Sequence, residues 1–288
     1  MDQENGSVMA NTLYVTDLDG TLLNEDQEIS EETRVILSEL IQQGMQVTFA
    51  TARSMDSAAR LVAGIAFRLP MIFFNGVFIY DPANRSLLQS NLLSAETSRE
   101  MVSTFESSGL HPLVYTMDSE GRAHVYYKGI FNPSEERYIT SRLETGDSRF
   151  RLVKHYEDAL GESVITVIAV GTKQQLDPNH DILHRRDELI CHYGPDIYAP
   201  GYHWLEIADS KANKREAVEF VKRSIRAERL VCFGDNLNDL PMFAAADEKY
   251  AVANAHERVK TAATGIILSN AEHGVARYLQ SLSGKGSA

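Results

Sequence analysis

Short apolar runs alternate with amphipathic stretches along the first 76 residues. "TLYVT" (12–16) reads as a buried strand, too short and too β-branched for a helix. Ser30 is placed to cap a helix whose first turn carries Glu31 and Glu32, where the helix dipole favours negative charge. Val35, Ile36, Leu40 and Ile41 form the apolar stripe of that helix, and Gly44 is a plausible stop. "MQVTFAT" (45–51) is the next strand, a helix is expected over about 55–65, and "PMIFFN" (70–75) is a third strand running into Asn75-Gly76. Strand, helix, strand, helix, strand in so short a span predicts a parallel sheet with helices on both faces.

The pattern then changes. Over 81–200, strands at 111–116, 123–129 and 164–171 mix with helices near 94–107, 133–143 and 178–190. This reads as a separate α+β module set into the first domain. After "YHWLEIA" (202–208) the alternation resumes with a helix at 214–225, a strand at 229–235 and a further strand at 250–255. A helix at 257–264, a strand at 265–269 and a helix at 273–282 close it, with a frayed tail expected over 283–288. The predicted fold is therefore α/β. A doubly wound parallel-sheet core, discontinuous over 1–80 and 201–288, carries an inserted α+β domain over 81–200.

Composition narrows the function classes. The 288 residues carry a net charge of −12, which argues against a nucleic-acid or anionic-membrane partner but leaves room for a locally positive phosphate site. No apolar run reaches the roughly 18 residues of a membrane span, and the polar opening "MDQENGSVMA" has no apolar signal region. The two cysteines, Cys191 and Cys232, form no CxxC pair, so a reducing cytoplasm is expected. The nine histidines show neither HxH nor HExxH spacing, which speaks against a zinc site. Nothing in the sequence fixes an oligomeric state.

The candidate chemistry lies at strand ends. Asp17 and Asp19, Thr51 and Asp235 all fall where predicted parallel strands finish, and open α/β sheets bind ligands off those ends. With Asp239 the carboxylates number at least four, Asp17, Asp19, Asp235 and Asp239, and packed together they repel unless a cation or a proton sits among them. Mg2+ takes oxygen ligands and bridges carboxylates to phosphate, while Lys214 at a helix start supplies positive charge and Thr51 a hydroxyl. Asp17 and Asp19, two residues apart, project to one side of an extended chain. One carboxylate can attack phosphorus while the other gives and takes protons. Gly20 would let the chain turn sharply there, and Thr21 could brace the turn. Blander readings stay open: Asp239 or Thr51 as helix caps, Asn75 as a turn former, and Lys211 in place of Lys214.

Taken in order, these stretches resemble the haloacid dehalogenase superfamily. "DLDGT" (17–21) is similar to its first motif, "TAR" (51–53) to its second, Lys214 to its third and "GDNLND" (234–239) to its fourth. "NG" (75–76) and "ANA" (253–255) resemble signatures of the Cof-type branch. The second motif departs by having Ala52 where glycine is common, a small change. The resemblance implies a Rossmann-like core with a C2B cap inserted between the second and third motifs. It implies Asp17 as nucleophile and Mg2+ ligand, and Asp19 as acid and base with its backbone carbonyl on the metal. Asp235 would be a further ligand, with Thr51, Lys214 and Asn238 on the phosphate. Asp239, Asn75, Gly76, Arg53 and Asn254 would support them. The expected activity is Mg2+-dependent hydrolysis of a small phosphorylated metabolite, such as a sugar phosphate or phosphorylated cofactor, through an aspartyl-phosphate. A phosphomutase or phosphotransferase, or a non-hydrolytic phosphate sensor, is the alternative.

Overall fold

The computed structural model describes residues 11–196 and 198–284, so the N-terminal ten residues and positions 285–288 of the expected tail lie outside the described residues. Two compact units emerge, Met1–Ser90 with Asn213–Ala288, and Asn91–Ala212.

The first unit begins with β1 (Thr12–Thr16), buried along its whole length. Helix α1 (Glu31–Gln42) follows, and Ser30 caps it by accepting the Thr33 N–H at 3.1 Å. Its buried face is Thr33, Ile36, Leu37, Leu40 and Ile41. Val35, expected in the stripe, is 46% exposed because it falls outside the three-and-four spacing of that face. Strand β2 (Gln46–Phe49), helix α2 (Met55–Leu61) and β3 (Met71–Phe73) come next. Strands β4 (Phe78–Asp81) and β5 (Ser86–Ser90) then form an antiparallel sheet with β3, which meets the end of β2 through the Ala50–Ile72 bridge.

The second unit contains helix α3 (Ala95–Ser107), β6 (Leu113–Met117), β7 (Ala123–Tyr127), α4 (Pro133–Glu144), β8 (Phe150–Leu152), α5 (Glu157–Leu160), β9 (Ser163–Thr172), α6 (Lys173–Leu183), β10 (Leu189–Pro195) and β11 (Tyr202–Asp209). Its six-stranded sheet has the order β10-β11-β9-β6-β7-β8. Its core gathers Val102, Phe105 and Leu176 from helices against Val114, Val167 and Leu205 from strands. Two sequence expectations change here. The helix placed over 178–190 runs instead from Lys173, because Thr172 and Gln175 form a capping box there, and β10 already occupies 189 onward. The expected domain breaks at 80/81 and 200/201 also move. Residues 86–90 pair with β4 in the first unit, and 202–209 pair with β9 and β10 in the second.

The chain returns to the first unit with α7 (Lys214–Ser224), β12 (Arg229–Gly234), α8 (Leu240–Ala245), β13 (Glu248–Val252), α9 (Glu257–Ala262), β14 (Gly265–Ile267) and α10 (Gly274–Gly284). The parallel sheet has the order β14-β13-β12-β1-β2. From β1 the chain passes to β2 on one side, while β12 and its successors build outward on the other. That makes the gap past the ends of β1 and β12 a topological switch point, where α/β sheets place their ligands. Among the described residues no helix is long and apolar enough to cross a membrane.

Candidate active site

Register alone brings the separated motifs together. Thr16 pairs with Phe233 and with Phe49, so the residues just past β1, β2 and β12 emerge side by side. The Asp17 N–H donates to the Phe233 carbonyl at 2.9 Å, and Ala50 N–H to the Thr16 carbonyl at 2.9 Å. Asp17 is thereby fixed by backbone bonds, and only 4% of it is exposed.

Lys214 is the first residue of α7, whose N-cap Asn213 accepts the Glu216 N–H. Its ammonium lies 2.5 Å from Asp17 Oδ1 and 2.7 Å from Asp239 Oδ1, and none of its side chain reaches solvent. Lys211 lies in the second unit, with its N–H on Asp209 at 2.9 Å, so geometry selects Lys214 for this cluster. Asp239 spends its second oxygen on the N–H groups of Asp235 and Asn236, at 2.9 and 3.1 Å. It holds the N-cap position of α8 without a side-chain capping bond there. Asp235 accepts the Thr21 hydroxyl at 3.1 Å. Its carboxylate presses on Gly20: a Cβ there would sit 2.4 Å from Asp235 Oδ2, and Gly20 has φ +74°. Glycine at position 20 is needed both for the turn and for this contact.

Oxygen atoms of Asp17, Asp235 and Asp239 lie within 4.8 Å of one another. Three carboxylates against one ammonium leave an excess of negative charge in a buried place. Burial pushes the Asp17 carboxyl well above the usual carboxylate range, Lys214 pulls it back, and Asp239 and Asp235 raise it again. Burial and then Asp239 push Asp235 up to about 7. Burial alone would lower Lys214, but the charges of Asp17 and Asp239 outweigh it and hold the ammonium protonated. An all-oxygen, over-negative donor set of this kind fits a hard divalent cation such as Mg2+.

Asp19 stands apart from this cluster. Its carboxylate is 45% exposed and accepts a two-pronged ion pair from Arg53, at 2.7 and 2.6 Å. Arg53 also donates to Gln27 at 2.9 Å and Ser57 at 3.2 Å. Thr51 is fully buried and its hydroxyl accepts the Arg53 N–H at 3.1 Å. The Thr51 carbonyl accepts the Asn75 N–H, which places Asn75 beside it in a left-handed conformation, φ 54°. Asn238 donates to the Asn75 side chain at 3.3 Å. Gly76 backs onto Asn213, whose carbonyl would be 2.7 Å from a Cβ at that position. Asn254 donates to the Gly20 carbonyl at 2.8 Å and accepts the Asn270 N–H at 3.0 Å. Apart from Lys211, every candidate position named from the sequence thus falls in the first unit. Gln27 and Asn270 were not anticipated. Each is an ordinary polar loop residue in sequence, and only the folded contacts give it a place here.

Residues 14–279 match the haloacid dehalogenase-like hydrolase family. The 5-amino-6-(5-phospho-D-ribitylamino)uracil phosphatase YitU of Bacillus subtilis is 27% identical over 93% of this chain and 96% of its own. The HMP-PP phosphatase of Serratia proteamaculans is 26% identical over 93% of this chain and 94% of its own. The crystal structure of TM0651 from Thermotoga maritima superposes with a TM-score of 0.74 at 26% identity, covering 93% of this chain and 96% of that one. The chain belongs to the haloacid dehalogenase-like hydrolases, as a phosphatase enzyme of their Cof-type branch.

Proposed function

We propose that the protein is a Mg2+-dependent phosphatase that hydrolyses small phosphomonoesters through an aspartyl-phosphate on Asp17. The observation that carries this reading is the buried Asp17 held by Lys214, with Asp235 and Asp239 within a cation's reach. Asp17, Asp235 and the backbone carbonyl of Asp19 would hold Mg2+, which when bound offsets the charge of the cluster and of the phosphoryl oxygens.

The protein's own groups then divide the work. An Asp17 oxygen forms a bond to phosphorus as the bond to the leaving oxygen breaks, and Asp19 gives that oxygen its proton. Asp19 next takes a proton from water, whose oxygen attacks phosphorus and frees Asp17 and inorganic phosphate. Lys214 keeps the nucleophile anionic and meets the phosphoryl charge. Thr51 and Asn238 position the phosphoryl oxygens, while Asn75, Gly76 and Asn254 shape the loops around them. Arg53 holds Asp19 in a fixed rotamer and has to loosen its grip for the proton to move.

The substrates named for the relatives, a phosphoribityl-aminouracil and HMP-PP, suggest a phosphorylated metabolite or cofactor precursor for this chain. A cytoplasmic setting fits the two cysteines, which are both free thiols. The test is phosphate release from an aryl phosphate and from a panel of such metabolites with Mg2+, for wild type and Asp17→Asn. Loss of turnover in the variant, without any need for an acceptor in the wild type, supports hydrolysis. Turnover that requires an acceptor points instead to a phosphotransferase, and a stable phosphoprotein without phosphate release to a sensor.

A further inference from the structure

The C-terminal end of α6 carries a second group of cation-binding side chains, inside the second unit and independent of the carboxylate cluster. His180, Asp181 and His184 offer ligand atoms that all lie within 4.8 Å of one another. The histidines are one helical turn apart, so both imidazoles rise from the same face. Their rings stack with centroids 4.9 Å apart and planes 13° apart. His180 is also backed by the Tyr193 ring at 4.7 Å, and Tyr193 is held in turn by its hydroxyl on Asp177 at 2.7 Å. The pair is therefore braced from the sheet side and open on the other, His184 being exposed.

The hydrogen bonding of His184 sets its chemistry. Its Nδ1 lies 2.7 Å from the His180 carbonyl. A carbonyl only accepts, so Nδ1 carries the proton and the neutral ring presents the Nε2 lone pair outward. A backbone carbonyl on the far nitrogen is the usual way a metal-binding imidazole is oriented. The carbonyl end of a helix also favours positive charge. Arg186 is turned to Glu100 and Glu188, at 2.6 and 2.5 Å.

We propose that His180, His184 and Asp181 form a surface site for a borderline divalent cation of the Zn2+ class. Two imidazoles and one carboxylate, with water completing the sphere, are a donor set that Zn2+ accepts at about 2.0–2.2 Å. Mg2+ prefers oxygen ligands throughout and does not compete for it. Closing one helical turn, the bound cation would pin the end of α6 against fraying.

The experiment is calorimetric titration of the full-length protein with Zn2+ in excess Mg2+, added to compete for the carboxylate cluster, alongside thermal melts with and without Zn2+. Wild type should take up one equivalent of Zn2+ and melt higher in its presence. His180→Ala and His184→Ala, at positions outside the phosphatase machinery, should each weaken that uptake at least about tenfold and lose the thermal gain. Asp181→Ala should weaken it less. Their unchanged phosphate release would show that both variants are folded. Equal Zn2+ uptake by wild type and both histidine variants, or no uptake by wild type, overturns the proposal.

Discussion

As the proposed nucleophile, Asp17 has to stay anionic while buried among like charges, and the equally buried ammonium of Lys214 2.5 Å away favours that form. Replacing Lys214 by Met leaves Asp17 and Asp239 with no counter-charge. We expect a loss of about 3–5 kcal/mol in folding stability, read by denaturant melts, together with loss of turnover. Asp19 is placed differently, half-exposed and paired with Arg53. Asp19→Ala removes no buried charge, so it should keep the wild-type melting temperature and slow turnover by about 10²–10⁴-fold. A loss below about threefold would take Asp19 out of proton transfer. Gly20→Ala tests the close approach of Asp235. The left-handed backbone alone costs about 1–2 kcal/mol, and the displaced carboxylate should also raise the Mg2+ concentration needed for activity, which a Mg2+ titration of turnover would read.

Helix α4 provides a pH-dependent element remote in sequence from the carboxylate cluster. Glu135 in its first turn is 3% exposed and accepts the Phe131 N–H at 2.7 Å. Burial raises its carboxyl from 4.5 to about 7. Between those values the folded protein holds a proton that the unfolded chain has released, so this contribution is present in acid and is lost as pH rises through about 7. Compared across about pH 5 to pH 8, wild type should lose on the order of 1 kcal/mol relative to Glu135→Gln, after allowance for partial screening. Parallel denaturation curves at the two pH values would show it. The elements that sequence made legible are those governed by short-range patterns. β1 and β12 are apolar runs ended by acidic motifs, and α1 opens on Ser30 with Glu31 and Glu32 behind it. What stayed hidden depends on long-range pairing. "SLLQS" (86–90) is an exposed edge strand whose place is set by β4, and β11 reads the same in either unit until β9 and β10 claim it. The Asp19–Arg53 pair spans 34 positions and rests on side-chain rotamers, which no local pattern encodes.

Across the whole molecule, the switch point of the parallel sheet turns widely spaced motifs into one site. Residues 17, 214, 235 and 239 meet, and Thr51 ends the neighbouring strand segment, because β1 lies between β2 and β12 and α7 starts at their end. Removing Mg2+ with a chelator should therefore abolish turnover and lower the melting temperature, and restoring Mg2+ should recover both. The covalent step is the most exposed part of the account. Acid-quenching the enzyme during turnover of a ³²P-labelled aryl phosphate, followed by peptide mapping, would locate it directly. We predict label on Asp17 in the wild type, more of it in Asp19→Ala, where water attack lacks its base, and none in Asp17→Asn. Steady turnover with no covalent label, or label on a peptide without Asp17, would contradict the central claim.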